Sequence, residues 1–200
     1  MTALRNTPVA LLPNAAPFAI RAERASDAVA REALLDACFG GNRHTRTCQR
    51  LRDGRAPADG LALSAVCEGR LVGTVRLWHV SAGGIPALVL GPLAVDHSCR
   101  QLGVGAALMD HALAAATARG HRAVLLLGDA PYYARFGFSA DKTGELSLPG
   151  PFERDRLLGL ELSEGALDGA WGMIVPTAAS MLKNRASRSR KAPRSLPQAA

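Results

Sequence analysis

Residues 100–108 read RQLGVGAAL, with Gly103 and Gly105 two apart behind Arg100 and ahead of an alanine-rich run. Glycines let a backbone come close to a ligand, and three phosphate chemistries compete for this spacing. A Walker-type loop needs G-x-x-x-x-G-K-[ST], and no such run is present. A dinucleotide turn needs G-x-G-x-x-G at a strand end, but Leu108 takes the third glycine's place and the preceding apolar run ends near Val95. Asp129, at the end of a later apolar run, keeps that reading open as a ribose-binding acid. The third reading takes R-x-x-G-x-G as one unit that opens a helix. The amides of residues 101–106 then lack intrahelical acceptors, the helix dipole adds positive potential, and Arg100 supplies a charged contact. That is a seat for a pyrophosphate. A glycine-rich helix entry packed closely on a sheet fits the spacing equally well.

The other reactive side chains are scattered. Cys38, Cys48, Cys67 and Cys99 form no C-x-x-C pair and have no histidine at ligand spacing, which argues against a zinc site. Cys99 beside Arg100 reads as a buried thiol before it reads as a nucleophile. His79, His111 and His121 are isolated, and Trp78 and Trp171 lie on strand-like runs as core residues. No general base is marked. Glu68 falls in a turn, Asp96 follows a central strand, and Asp129 precedes APYYARF as a helix cap would.

The elements that must position these residues follow from periodicity and turn chemistry. Residues 18–24 alternate as a half-buried strand, and Ser26 reads as the N-cap of a helix to about Cys38. A second helical piece spans about 42–52. Residues 61–67 and 71–80 form a hairpin across EGR. ALVLGPLAV (87–95) is nearly all apolar, so its strand is buried on both faces, with a bulge or splay at Gly91-Pro92 because proline cannot join the ladder. A helix over 104–119 ends at Gly120, and residues 121–129 form a second apolar strand parallel to the first. Residues 132 and 133 sit in the short APYYARF helix, and strands are expected over 156–162 and 171–176.

These pieces resemble one family. LGPLAVDHSCRQLGVGAALMDHALAAATARGHRAVLLLGDAPYYARFGF is similar to the acyl-CoA core of the GNAT superfamily of N-acetyltransferases, and LLGD…YYxRFGF to its predicted small-molecule acetyltransferase branch. The features agree in order over 88–138: bulged strand, [RQ]-x-x-G-x-G, helix, strand, then tyrosine before Gly-Phe. The resemblance implies an α/β (α+β) GNAT-like acyl-CoA N-acyltransferase fold, one mixed sheet with antiparallel strands early and late around a central parallel strand-helix-strand unit. It implies acetyl-CoA as acyl donor, with the pyrophosphate on the amides of Gln101, Leu102, Gly103, Val104, Gly105 and Ala106 and a contact from Arg100. The backbone of Leu93, Ala94 and Val95 would pair with the pantetheine arm. Tyr133, four before Gly137, would assist the departing sulfur, with Tyr132 as the alternative. The chain departs from the family pattern at His97 and Cys99 and in the shortened GDAP segment.

The implied activity is acetyl transfer to an amine by direct attack, with no covalent acyl-enzyme and no metal. The acceptor would be a small molecule. The alternative is a catalytically silent acyl-CoA-binding sensor or interaction protein. Charge supports a third class only weakly. The chain carries 24 basic and 17 acidic residues, a net +7, but 183–200 holds six basic residues and no acidic one. Residues 18–182 are therefore neutral, and nucleic acid could be engaged only through the tail. Residues 1–17 read as a loose lead-in, 18–182 as the catalytic domain and 183–200 as a basic disordered tail. Scattered single cysteines suit the cytoplasm, no run suits a membrane helix, and a monomer or homodimer is expected.

Overall fold

One strand organises the sheet. In the computed structural model, which describes residues 17–180, β3 (Arg70–Ala82) runs for 13 residues and is paired on both edges along its length. Its first half pairs with β2 (Ala62–Cys67) on one side and β5 (Ala94–Val95) on the other. Its second half pairs with β4 (Ile85–Leu90) and β9 (Gly172–Pro176). β1 (Ala19–Ala22) borders β2, and the path continues from β4 through β6 (Ala123–Leu127) to β8 (Leu157–Glu161). Only β4 and β6 pair in parallel within that path, and the remaining neighbours on it are antiparallel. A two-residue β7 (Leu146–Ser147), not foreseen from sequence, pairs with β9. The expected lead-in and the basic tail fall almost wholly outside the described residues.

Turn chemistry sets the hairpins. Glu68 and Gly69 both take positive φ, +48° and +78°, the two-residue turn whose twist matches antiparallel strands. Gly83 and Gly84 do the same before β4. The strand interiors alternate as their apolar runs require. Leu77, Leu88, Leu90, Val124 and Leu126 face one core, while Trp78, Val80, Val89, Ala123 and Leu125 face the other. The central sheet is therefore covered on both sides.

Helix α2 (Val104–Ala118) lies on the first face and buries Val104, Leu108, Met109, Ala112 and Ala116. It ends as its sequence dictates. Gly120 has φ +75°, its amide donates to Thr117 O, and the His121 amide donates to Ala116 O, which satisfies the orphan carbonyls. Helix α1 (Ala28–Phe39) packs Leu34 and Leu35 against Ala94.

Three expectations are corrected. Ser26 is not the cap of α1: it lies in a 3-10 turn, Ala25–Asp27, and Asp27 takes the N-cap place. The Asp27 carboxylate is bound by the Arg21 guanidinium at 2.6 and 2.8 Å and by the Arg24 amide at 2.8 Å, which a serine could not offer. The piece at 42–52 is two 3-10 helices, Gly41–Thr45 and Thr47–Leu51, rather than an α-helix. Trp171 is 72% exposed and not core, because it stands just ahead of β9 with its backbone against Gly83. Trp78 is buried as expected, its indole N–H donating to Gly91 O at 2.7 Å.

Candidate active site

The site opens where β4 and β5 part from β6. From Leu90 to Ala94 this chain segment takes four steps while β3 takes three, from Leu77 to Thr74. The extra residue is a β-bulge at Gly91-Pro92, where a proline cannot donate to the ladder. Beyond it β5 stays on β3, whereas β6 meets β4 only at Leu88 and Val89. The Asp96 amide donates to Val72 O at 2.8 Å. Alternation along the strand then turns the main chain of Ala94 toward β3 and that of Leu93 and Val95 toward the gap. Of the three residues expected to lend backbone groups, two face the opening and Ala94 is occupied by β3. The Cys38 thiol from α1 approaches Val95 O at 3.4 Å.

The start of α2 borders this gap. Gly103 adopts φ +76° and ψ 8°, a left-handed conformation that turns the 3-10 segment His97–Leu102 into the helix. Gly73 sets how close the helix lies. A Cβ there would come within 2.9 Å of both Leu108 and Val104, so only glycine lets α2 settle on β3 opposite Val95. Arg100, Gly103, Gly105 and Ala106 line a hollow of about 360 Å³ together with Leu93 and Val95. Val104 is buried beneath it, while Gln101 and Leu102 are exposed at its margin. Arg100 lies 3.2 Å from the His97 ring. The first amides of α2 have no acceptor within the helix, and a Cβ on Gly105 would enter this hollow. The cradle thus fits an anionic group laid on backbone amides.

A larger hollow of about 910 Å³ adjoins the first and shares Phe39, Leu93 and Tyr132 with it. Tyr133 lines it, held edge-on against Tyr132 and Phe138 at ring distances of 4.9 and 6.0 Å. Burial, reinforced by Tyr132 and Asp129, pushes the Tyr133 phenol up to about 12. Gly128 makes room for the ring, since a Cβ there would lie 2.3 Å from it. Tyr132 instead points its hydroxyl at Gly105 and carries the Arg135 guanidinium 4.3 Å over its ring. The two tyrosines thus divide: Tyr132 borders both hollows and Tyr133 only the larger.

The acids separate as well. Asp96 caps the 3-10 segment, accepting from the Ser98 amide at 2.9 Å and hydroxyl at 2.7 Å and pairing with Arg70 at 2.7 Å. Those hydrogen bonds hold its carboxyl at about 2, and it does not line either hollow, so it is not a base. Asp129 occupies the N-cap of α3 (Ala130–Ala134), but its side chain makes no cap hydrogen bond and lines the larger hollow. Glu68 stays in its exposed turn. Cys99 is buried. Among the described residues no cluster of three or more His, Cys, Asp or Glu is arranged to hold a metal, and no helix is long and apolar enough to cross a membrane.

Sequence reasoning missed Gly73 and Gly128, and it read Arg52 only within the basic run of Arg43, Arg46, Arg50 and Arg52, which could favour an acidic acceptor or the CoA 3′-phosphate but more often is a solvated helix face. A glycine inside a strand signals close approach, so Gly73 was legible in principle. Nothing in the sequence separates Arg52 from its basic neighbours.

The GNAT acetyltransferase domain model matches residues 59–140, which contain the bulge, the cradle and both tyrosines. The N-acetyltransferase YhbS of Escherichia coli K12, itself uncharacterized, is 30% identical over 161 residues, covering 78% of this chain and 93% of its own. The chain belongs to the GNAT superfamily of N-acetyltransferases. Two solved GNAT structures share its architecture. The E. coli YhbS structure, a complex with CoA, superposes with a TM-score of 0.71 at 27% identity and covers 86% of this chain and 96% of its own. A GNAT acetyltransferase from Brucella melitensis in complex with acetyl-CoA gives 0.61 at 26% identity, over 79% and 94%. Within the GNAT fold, the mixed sheet with a central parallel pair, β4 and β6, is the expected architecture, and the chain has it.

Proposed function

We propose that this protein transfers an acetyl group from acetyl-CoA to the amine of a small acceptor. One observation carries the reading: the bulge between β4 and β5 opens the sheet beside the amide-lined start of α2, and the opening continues into the hollow lined by Tyr133. Relatives bound to CoA and acetyl-CoA support the donor. The pyrophosphate rests on the amides of residues 101–106, with Arg100 at their edge. The pantetheine arm extends β5 through the backbone of Leu93 and Val95, while Ala94 supports it from the β3 side. The thioester then points into the larger hollow.

The acceptor attacks as a neutral amine. A C–N bond forms, the C–S bond breaks, and no covalent acyl-enzyme intervenes. A backbone amide at the bulge stabilises the carbonyl oxygen as charge develops on it. The Tyr133 hydroxyl remains protonated throughout the neutral range and serves as the donor to the departing sulfur. Asp129, whose carboxylate has no hydrogen-bond partner among the described residues, takes the amine's proton directly or through water. Free cysteines suit a reducing cytoplasm.

The test is to incubate the protein with acetyl-CoA and a broad amine panel and follow thiol release. Turnover with an N-acetylated product is the expected result. CoA should raise the melting temperature, since binding to the native state stabilises it. The absence of that shift rejects the donor, and tight CoA binding without turnover on any amine favours a silent sensor.

A further inference from the structure

The larger hollow holds four arginines, and they are not equivalent. Arg43 is spent on Glu32 and Asp36, at 2.5 and 2.7 Å. Arg156 faces Glu153 at 3.7 Å and donates to Gly128 O at 3.3 Å. Arg46 lies over the Phe39 ring and donates to Phe39 O at 3.2 Å. Arg52 differs. Among the described residues its Nε is buried with no hydrogen-bond partner, and the one hydrogen bond of its side chain is an Nη2 donation to Gln49 Oε1 at 3.2 Å. The nearest acid in the chain, Asp53, accepts from Gln49 rather than from Arg52.

The position of this guanidinium matters as much as its unfilled Nε. Its Nη1 approaches to 3.6 Å of the point where a Cβ on Gly91 would stand. Arg52 therefore reaches into the strand break itself, where the thioester would arrive, and away from the α2 start that seats the pyrophosphate. A buried donor without a partner costs stability, and burial, with the neighbouring charges of Arg43 and Arg46 adding to it against the pull of Cys48 and Asp53, pushes the pKa of this group below the usual guanidinium value. A cation kept at a substrate opening with no salt bridge among the described residues and an unfilled Nε is explained by a ligand that completes it. A guanidinium fork matches a carboxylate in two parallel hydrogen bonds.

We propose that Arg52 binds the carboxylate of the acceptor, so that the substrate class is amines that also carry a free carboxylate, amino acids among them. This rests on the acetyltransferase reading of the same site. Arg52 fixes the acceptor's acid end at the bulge, which directs its amine across the hollow toward the thioester and Asp129. Arg46 contributes positive potential at the rim.

The experiment compares amino acids with their amides as acceptors, in wild type and Arg52→Gln. Wild type should acetylate the acids at least tenfold more efficiently than the amides, and Arg52→Gln should erase that preference while leaving KM for acetyl-CoA unchanged. Arg52→Lys should recover only part of it, because a lysine lacks the fork. Removing a cation whose Nε is buried without a partner should leave the melting temperature equal or higher, which a structural role would not allow. A binding arm works without turnover. N-acetylamino acids, the products, should raise the melting temperature of CoA-saturated wild type, their amides should not, and Arg52→Gln should lose the effect. Equal handling of acids and amides, or a variant that impairs both alike, overturns the proposal. A missing CoA-induced shift instead rejects the acetyltransferase reading, so the two failures are told apart.

Discussion

The hydroxyl of Tyr132 stands over Gly105, so close that a Cβ on Gly105 would lie 3.0 Å from it. The second residue of α2 and the short helix after β6 thus meet across the cradle. Gly105→Ala forces the Tyr132 hydroxyl to give way and puts a methyl group into the hollow. Alanine favours a helix over glycine by about 1 kcal/mol, so stability should hold. CoA affinity should fall about tenfold, comparable to losing one hydrogen bond. Calorimetric titration with CoA checks this, and an unchanged affinity would mean that the pyrophosphate lies elsewhere.

Tyr133→Phe removes the hydroxyl and keeps the ring that packs on Phe138. The expected outcome is a kcat lower by about 100-fold with the CoA-induced thermal shift retained. Gly128→Ala should lower kcat without touching any substrate, because its methyl group would sit 2.3 Å from the Tyr133 ring. If Tyr133→Phe turns over normally, the tyrosine only packs.

The pH dependence has a stated sign. Burial raises Tyr133 from 10.0 to about 12, so the folded protein keeps a proton that the unfolded chain loses. Stability should therefore decline as pH rises from about 10 toward 12, and Tyr133→Phe should flatten that decline. In steady-state assays the rate should rise with pH as the acceptor amine loses its proton. Ionisation of Tyr133 should not reduce it below pH 10.

Asp27 supplies the acid side. Its hydrogen bonds to Arg21, and further ones to the Arg24 amide and the Ser64 hydroxyl, hold its carboxyl well below the ordinary range. A depressed folded value means stability that is present above the unfolded carboxylate's pKa of about 3.9 and lost as pH falls below it. Asp27→Asn should cost about 2 kcal/mol near neutrality and weaken the acid-induced loss. Denaturant titrations at pH 7 and pH 3 measure both.

Gly73→Ala tests how the cradle is positioned. Its methyl group would press on Val104 and Leu108 at 2.9 Å, which overpacking makes costly by about 1–3 kcal/mol. Because Val104 begins α2, CoA binding should weaken together with stability. A destabilised variant with native CoA affinity would show that the helix start moves independently of β3.

Much of the fold was legible because its signals are local. The hairpin of 61–67 and 71–80, its turn at Glu68-Gly69 and the left-handed Gly120 are each decided by neighbouring residues. The bulge was legible for the same reason, since Pro92 cannot join a ladder wherever it stands. The 42–52 segment was misread because its basic, weakly periodic residues do not distinguish an α-helix from two 3-10 turns. Trp171 was misread because an apolar side chain beside a strand has no memory of which strands will cover it.

The sequence by itself determined the order of elements, the break in the central strand, the glycine-marked start of α2 and the family motifs that run through them. The tertiary structure decided the rest. It chose between Leu93, Ala94 and Val95 by pairing β5 with β3, and it removed Asp96 from the chemistry by tying it to Arg70. It set Tyr132 on Gly105 and Arg52 beside Gly91. Each of these depends on residues distant in the chain. Periodicity and turn chemistry act over a few residues, whereas which main-chain groups stay open and which charges stay unpaired is settled only when the whole sheet closes around them.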